Sequence, residues 1–239
     1  MKIVIAPDKF KGSLTGKEFC NIVAEVIKEY DANIEIKKIP LADGGDGTID
    51  VLKENIEGEI HSVVVKNPFF KPVKATYFYI PSLSTAYIEM AEASGMKLLK
   101  KNELNCKKAT TFGTGELILD AINIGAKTIV LGIGGSATND AGIGMAHALG
   151  YRFLDIDNKE LMPIGENLIN IHRIDKNKVD KRVLNITFKV ANDVKNPLFG
   201  KQGAAYIYAA QKGAKSSEIK HLDQGLRNIN NLSQLSESF

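Results

Sequence analysis

Residues 131–150, LGIGGSATNDAGIGMAHALG, decide the fold of this 239-residue chain. The apolar run that enters the stretch, residues 128–133, is typical of a buried strand, and the apolar run that leaves it has helical spacing. Between the two runs lie glycines, small hydroxyl side chains, an asparagine and an aspartate. Because glycines let backbone N–H groups approach an anion closely, the stretch predicts a strand, a ligand-binding loop and a helix in succession.

Strands and helices alternate along most of the chain on both sides of this stretch. Apolar runs predict strands at residues 2–6, 33–39, 85–90, 127–133 and 185–190. A capping box of Thr15 and Glu18, helical spacing and terminal glycines predict helices at residues 15–30, 49–55, 115–124 and 141–149, and a polar helix or frayed tail at 217–235. A hairpin over residues 59–80 breaks the alternation. We therefore expect an α/β fold with a mainly parallel sheet and a second α/β region that contains mixed strands.

The composition is that of a globular protein in a reducing compartment. The 31 basic and 28 acidic residues are well mixed and give a net charge of +3, so the chain lacks the concentrated basic face that binding to nucleic acid or a membrane requires. Cys20 and Cys106 are far apart and not in a metal-binding spacing, which favours a cytoplasmic location without disulfides. The start, MKIVIAPDKFKG, has only a short apolar run before Pro and Asp, and no apolar run is long enough to span a bilayer, so we expect neither a signal peptide nor a membrane span.

Five of the predicted strands run directly into small, polar loops that are often acidic. These loops are residues 7–13, 43–48, 92–95, 134–140 and 192–196. Ligands bind at the carboxyl ends of the strands in an open parallel sheet, so we expect the five loops to share one rim.

The residue types in these loops are those that phosphoryl transfer requires. Glycine amides bind phosphate, lysine neutralises phosphoryl charge, and aspartate holds Mg²⁺ or accepts a proton from an attacking hydroxyl. Taken singly, each residue has an ordinary structural explanation as a turn former, a helix cap or a surface charge. Their occurrence together in five loops that each follow a strand favours a binding site.

A dinucleotide-binding site is the alternative interpretation. Gly132, Gly134 and Ala137 formally match the dinucleotide fingerprint in its G/A variant. Asp155 and Asp157 lie near the distance along the chain where a ribose-binding acid is expected. The sequence therefore leaves an NAD-dependent dehydrogenase as an alternative function. Against it, the residues after Ala137 are polar, and the match explains none of the other four loops. The P-loop motif G-x-x-x-x-G-K-[ST] is absent from the sequence.

Six stretches of the sequence resemble the bacterial glycerate kinase family (type I). They are APDKFKGSLT, PLADGGDGT, IEMAEASG, TTFGTGELILDA, GIGGSATNDAGIGMAHALGYRF and NDVKNPLFG…AAQKGA. They occur in the family's order and span nearly the whole chain, and GGSATNDAG and ADGGDGT are specific signatures. The resemblance implies a kinase that uses ATP and Mg²⁺ to phosphorylate D-glycerate, typically to 2-phosphoglycerate.

The resemblance also implies the domain organisation and the site residues. It implies two α/β regions, one of them Rossmann-like, with the active site between them. We assign residues 1–58 to the N-terminal part of the Rossmann-like domain and residues 59–239 to the second α/β domain with a mixed sheet. The residues assigned to catalysis are Asp43, Asp193 and Lys11, and Asp43 and Asp193 are also the candidate Mg²⁺ ligands. The residues assigned to substrate or phosphate binding are Lys9, Ser13, Asp46, Gly134, Gly135, Ser136, Asn139 and Asp140.

The sequence departs from the family pattern in two ways. Asp46 stands where the family usually has Glu, which keeps the charge but shortens the side chain. Family members also continue beyond the Gln211-Lys212-Gly213-Ala214 motif through further glycine-rich and acidic motifs. We therefore expect a truncated or split member that lacks one flank of the Rossmann-like region, and a non-catalytic remnant is a further alternative.

Overall fold

The structure, a computed structural model, describes residues 1–8, 10, 13–42, 44 and 47–237, with side chains through residue 233. The strands are β1 (Lys2–Ile5), β2 (Glu35–Lys38), β3 (Glu59–Lys66), β4 (Pro72–Ile80), β5 (Thr85–Glu89), β6 (Thr128–Gly132), β7 (Arg152–Leu154), β8 (Arg173–Asp175) and β9 (Thr187–Ala191). The α-helices are α1 (Gly16–Tyr30), α2 (Thr48–Asn55), α3 (Ala91–Ser94), α4 (Phe112–Asn123), α5 (Ile143–Ala148), α6 (Ala204–Tyr208) and α7 (Ser216–Glu237).

The central sheet has five strands in the order β3-β4-β5-β6-β9. The β3–β4 and β4–β5 pairs are antiparallel, and the β5–β6 and β6–β9 pairs are parallel. The predicted α/β class and the hairpin are confirmed. The predicted parallel pairing holds for β5, β6 and β9, whereas the hairpin joins the same sheet and makes it mixed.

One face of the central sheet carries the main hydrophobic core. Side chains alternate between the two faces of a strand, and Ile88, Ile129 and Leu131 point to the face that α4 covers. Leu117 and Ile118 of α4 are fully buried against them. The opposite face is covered by α2, which leaves the ends of β5 and β6 close to the start of that helix.

The N-terminal residues form a separate, smaller layer. β1 and β2 pair in parallel, and α1 packs on them through a core of Ile5, Cys20 and Ala24. The predicted capping box at the start of α1 is confirmed: the Glu18 N–H donates to the Thr15 hydroxyl at 3.1 Å, and the Thr15 N–H donates to the Glu18 carboxylate at 2.8 Å. Such caps contribute about 1 kcal/mol to helix stability.

The division of the chain at residue 58 stays a prediction. α2 belongs to the first 58 residues, yet its Ile49 packs against Phe78 and Ile80 of the central sheet. Residues 1–58 therefore contribute both the β1–β2 layer and a helix on the larger sheet.

The predicted C-terminal helix is present as α7. Its Leu222 and Leu226 are buried in a second hydrophobic core with Leu168. Packing of this apolar stripe explains why a largely polar segment forms a long helix instead of a frayed tail. Among the described residues, no helix is both long enough and apolar enough to cross a bilayer.

Candidate functional site

Three strands end side by side at one edge of the central sheet. Glu89, the last residue of β5, is in register with Gly132, the last residue of β6, and Gly132 is in register with Ala191, the last residue of β9. The loops that follow these strands therefore leave the sheet at the same edge. Three of the five predicted loops begin there.

The loop after β2 passes over the same edge at Gly44. A Cβ atom on Gly44 would lie 2.6 Å from the Ala191 carbonyl oxygen, and a Cβ atom on Gly132 would lie 2.2 Å from the Gly44 carbonyl oxygen. Gly44 also has a left-handed backbone conformation, with φ of +82°. Only glycine at both positions allows the two backbones to approach this closely.

Glu89 ties α2 to the end of β5. Its carboxylate accepts hydrogen bonds from the Ile49 N–H at 2.8 Å and from the Gly47 N–H at 3.3 Å. The side chain is only 5% exposed, so a buried acid caps the first turn of α2 from a distant strand. Glu89 is not among the predicted site residues, although it lies in the family-like stretch IEMAEASG and is an acid at the end of an otherwise apolar strand.

Removing the Glu89 cap is expected to destabilise the fold. Glu89→Ala removes the acceptor of the partly buried Gly47 N–H and of the buried Ile49 N–H, and should lower the free energy of unfolding by about 2 kcal/mol. Glu89→Gln keeps an acceptor oxygen and should lose less. Urea unfolding monitored by circular dichroism measures both, with the exposed Glu57→Ala as the control. Equal stability of Glu89→Ala and the control would contradict the capping role.

The loop of residues 134–138, after β6, is fastened to the segment after β5. The Ala137 N–H donates to the Ser94 carbonyl at 2.8 Å, and the Met96 N–H donates to the Gly135 carbonyl at 2.9 Å. These two bonds pair the loop with residues 94–96 in a short antiparallel bridge. The loop is therefore held in a defined shape although it lies outside any strand.

The 134–138 loop presents hydrogen-bond donors to solvent. Gly134 and Ser136 are half-buried, and Gly135 is exposed with φ of +72°. Within the described part of the chain, the N–H groups of these three residues donate to no acceptor. Successive free N–H groups around a glycine in a left-handed conformation favour an anionic ligand.

Asp140 faces the interior. It is 1% exposed, and its carboxylate accepts hydrogen bonds from the Thr111 N–H at 2.8 Å, the Thr111 hydroxyl at 2.7 Å, the Gly144 N–H at 3.3 Å and the Gly142 N–H at 3.4 Å. Burial raises the pKa of Asp140, and these four hydrogen bonds act in the opposite direction. The carboxylate therefore joins the start of α4 to the start of α5, and its direct role in ligand binding stays a prediction.

The turn at Asp140 also shortens the following helix. The prediction began that helix at Ala141, whereas α5 begins at Ile143. Ala141 and Gly142 both have left-handed conformations, with φ of +49° and +75°. The backbone turns there because the Asp140 carboxylate draws in the N–H groups beyond it.

Asn139 is buried beside Asp140. It is 8% exposed, and its Nδ2 atom has no hydrogen-bond partner among the described residues. A buried amide nitrogen without a partner is costly and calls for an acceptor from a ligand, a water or another part of the protein. This observation is compatible with the predicted binding role of Asn139 and leaves it a prediction.

Asp193 lies at the same sheet edge, two residues beyond the end of β9. It is exposed, and the neighbouring Asn192 carboxamide shapes the loop by accepting the Val194 N–H at 3.0 Å. Ser13 is exposed in the loop after β1. A hydrogen bond from the Leu41 N–H to the Pro7 carbonyl, at 2.8 Å, connects this loop to the loop after β2. Four other predicted site residues, Lys9, Lys11, Asp43 and Asp46, lie outside the described residues.

A cleft separates the N-terminal layer from α2. Its lining includes Asp8, Thr15, Leu41, Gly47 and Asp50. The loops after β1 and β2 thus border a concave surface formed within residues 1–58. The active site between two α/β regions, which the family resemblance implies, stays a prediction.

The described residues do not by themselves form a metal centre. Across residues 1–8, 10, 13–42, 44 and 47–237, no three His, Cys, Asp or Glu side chains are grouped to hold a metal ion. Of the two predicted Mg²⁺ ligands, Asp193 is described and Asp43 is not. An exposed carboxylate such as Asp193 suits a Mg²⁺ ion that keeps most of its ligands as waters and phosphates.

The structure does not support the dinucleotide-binding alternative. The fingerprint requires a strand that passes through a tight turn directly into a helix, whereas residues 133–142 separate β6 from α5. Asp155, one of the two candidate ribose-binding acids, accepts the N–H groups of Asp157 and Lys159 in a local turn.

Comparison with known proteins identifies relatives over nearly the whole chain. The profile of the Glycerate kinase family matches residues 3–237. The chain is 41% identical over 230 residues to a glycerate kinase of Halalkalibacterium halodurans, an alignment that covers 96% of this chain and 60% of the relative. It is 39% identical over 226 residues to the glycerate 2-kinase of Escherichia coli, covering 95% of this chain and 59% of the relative.

A solved structure supports the same family assignment. The crystal structure of a protein provisionally assigned as glycerate kinase 2 of Salmonella typhimurium LT2 superposes with a TM-score of 0.84 at 40% identity, covering 97% of this chain and 62% of that chain. The chain thus spans about 60% of the length of the relatives that it matches. By its sequence profile, its relatives and its fold, the chain belongs to the glycerate kinase family.

Proposed function

We propose that the chain acts as an ATP-dependent glycerate 2-kinase, which transfers the γ-phosphoryl group of ATP to D-glycerate and yields 2-phosphoglycerate. The observation that carries the proposal is the 134–138 loop, whose free N–H groups lie at the same sheet edge as Asp193 and Gly44. Family membership supports the choice of glycerate as the substrate.

The site is suited to anionic ligands. D-Glycerate carries a carboxylate and ATP carries phosphates, and both require hydrogen-bond donors and positive charge. The N–H groups of Gly134, Gly135 and Ser136 offer such donors in a fixed geometry. Positioning and electrostatic stabilisation are the main sources of catalysis in phosphoryl transfer, because the protein forms no covalent bond to the substrate.

The remaining roles follow from side-chain chemistry. We assign Asp43 or Asp193 as the general base that accepts the proton of the attacking hydroxyl, and the other as a ligand of Mg²⁺. A bound Mg²⁺ would neutralise phosphate charge. Lys9 and Lys11 would bind phosphate or the glycerate carboxylate, with Ser13 and Asp46 in supporting contacts. We further propose a cytoplasmic location, which fits the unpaired state of both buried cysteines.

A coupled ADP-release assay on the purified 239-residue chain tests this function. With ATP, MgCl₂ and D-glycerate, we expect ADP release that depends on D-glycerate, and phosphorus NMR of the product should show 2-phosphoglycerate. Appearance of 3-phosphoglycerate instead would correct the hydroxyl that is phosphorylated. Absence of ADP release would contradict the kinase proposal, and D-glycerate binding without turnover in a calorimetric titration would support the non-catalytic alternative.

A further inference from the structure

Lys212 holds the 134–138 loop at two points. Its Nζ atom donates to the Ser136 hydroxyl oxygen at 2.7 Å and to the Thr138 carbonyl oxygen at 2.8 Å. Lys212 lies at the end of the 3₁₀ turn Ala210–Lys212, far from the loop in sequence. One ammonium group therefore fixes both the side chain and the backbone of the loop from a separate segment.

The backbone that carries Lys212 is itself firmly placed. The Lys212 carbonyl accepts a hydrogen bond from the Cys106 N–H at 3.0 Å. The next residue, Gly213, has φ of +92° and approaches Leu104 so closely that a Cβ atom would lie 2.0 Å from the Leu104 carbonyl oxygen. The lysine thus extends from a packed segment, and its amine has little freedom to move away from the loop.

The contact with Lys212 determines the direction of the Ser136 hydroxyl. While Lys212 is protonated, its ammonium group has three donors and no acceptor, so the Ser136 oxygen accepts and its own hydrogen points elsewhere. The described residues provide no acceptor for that hydrogen. Because Ser136 is half-buried and borders the solvent, its hydroxyl hydrogen is available to a ligand beside the free N–H groups of the loop.

The charge of Lys212 is not cancelled by a direct ion pair within the described part of the chain. Its two acceptors are uncharged oxygens, and the nearby Asp140 carboxylate is engaged by Thr111, Gly142 and Gly144. Burial lowers the pKa of the Lys212 amine below its ordinary value, and the nearby Cys106 and Asp140 oppose this shift. A protonated Lys212 would give the loop a positive electrostatic potential at its solvent side.

We infer that Lys212 is a positioning residue for oxyanion binding at the 134–138 loop: it sets the direction of the Ser136 hydroxyl and keeps the N–H groups of Gly134, Gly135 and Ser136 facing one oxyanion. The inference rests on the proposed function, because the oxyanion is either the carboxylate of glycerate or a phosphate of the nucleotide. Both present the same charged oxygens to the loop.

NMR titrations of the full chain separate these two sources. Amide shifts of Gly134, Gly135 and Ser136 are followed as D-glycerate is added in one series and ATP in the other. In the wild-type chain these amide shifts should change in only one of the two series, and that series identifies the oxyanion. Lys212→Met should bind the same ligand about 10-fold more weakly. Ser136→Ala should weaken binding by a smaller factor, and the double variant should bind no more weakly than Lys212→Met alone. Lys215→Met, a change at an exposed lysine nearby, is the matched control.

The outcomes distinguish this inference from the proposed function. A folded Lys212→Met variant with wild-type affinity would overturn the inference even if the ADP-release assay succeeds. Loop amides that respond to neither ligand would overturn it as well. If Lys212→Met does not fold, unchanged affinity of Ser136→Ala would overturn it. Conversely, weakened oxyanion binding in the variants would uphold the inference even if the chain shows no turnover.

Discussion

Asp193→Asn is expected to reduce the turnover of D-glycerate by about 100-fold or more, the usual effect of removing a general base. Asp193 is exposed just beyond the end of β9, at the edge where the 134–138 loop and Gly44 also lie. Asparagine keeps the size of the side chain and removes its charge, so the variant cannot accept a proton or neutralise Mg²⁺. The rate of ADP release at saturating ATP and D-glycerate measures the effect.

A second variant and a magnesium titration assign the role of Asp193. Asp43→Asn should cause a loss of similar size, because the two carboxylates are proposed to share the tasks of base and metal ligand. Raising the Mg²⁺ concentration should partly restore the variant that lost a metal ligand and should not restore the variant that lost the base. The exposed Asp157→Asn is the control and should keep full turnover. Wild-type rates in both Asp43→Asn and Asp193→Asn would show that neither residue is catalytic.

Asp140→Ala is expected to lower the free energy of unfolding by about 3–5 kcal/mol, the cost of breaking a buried charged network. The substitution leaves the N–H groups of Thr111, Gly142 and Gly144 and the Thr111 hydroxyl without their common acceptor. Because that acceptor connects the starts of α4 and α5, the 134–138 loop should also lose its support. Urea unfolding and the amide spectrum of the loop measure the two effects.

The control for Asp140 is the nearly isosteric Asp140→Asn. Its carboxamide oxygen can still accept from Thr111 and Gly144, so it should be less destabilised than Asp140→Ala.

The pH dependence of the free energy of unfolding distinguishes the effect of the Asp140 charge from the effect of its side-chain shape. Burial raises the pKa of Asp140 in the folded chain, so the folded state holds this proton more tightly than the unfolded state. The contribution of Asp140 to stability is therefore fully present below its unfolded pKa and falls as pH rises through the raised value. Asp140→Asn should lack this decline, and stability of Asp140→Ala equal to wild type at every pH would disprove the structural role.

Local patterns in the sequence predicted the elements well. The runs at residues 85–90 and 127–133 are apolar and end in glycines or small residues, and they form β5 and β6 almost as expected. The capping box of Thr15 and Glu18 marks the start of α1 because both its partners lie within one helical turn. The hairpin over residues 59–80 is equally local, with its strands adjacent along the chain.

Contacts between distant residues could not be predicted in the same way. Glu89 caps α2 across a separation of about forty residues, and Lys212 reaches Ser136 across more than seventy. Both residues lie in stretches that resemble the family, but the sequence around them does not show which distant group each one contacts. The late start of α5 has a similar origin, because Asp140 is drawn towards Thr111 on another element. The predicted rim is observed for the loops after β5, β6 and β9, whereas the roles of individual site residues stay predictions.

The crossing of Gly44 over Gly132 has a further consequence for substitutions in this chain. A Cβ atom on Gly132 would meet the Gly44 backbone, and a Cβ atom on Gly44 would meet Ala191, so these segments pass at a distance that only bare main chain allows. Rotation of a side chain cannot widen this gap, because the clashing atoms belong to the backbone, and alanine at position 132 would require Gly44 to shift. Any side chain at position 44 or 132 should therefore be poorly tolerated, although neither glycine carries a functional group.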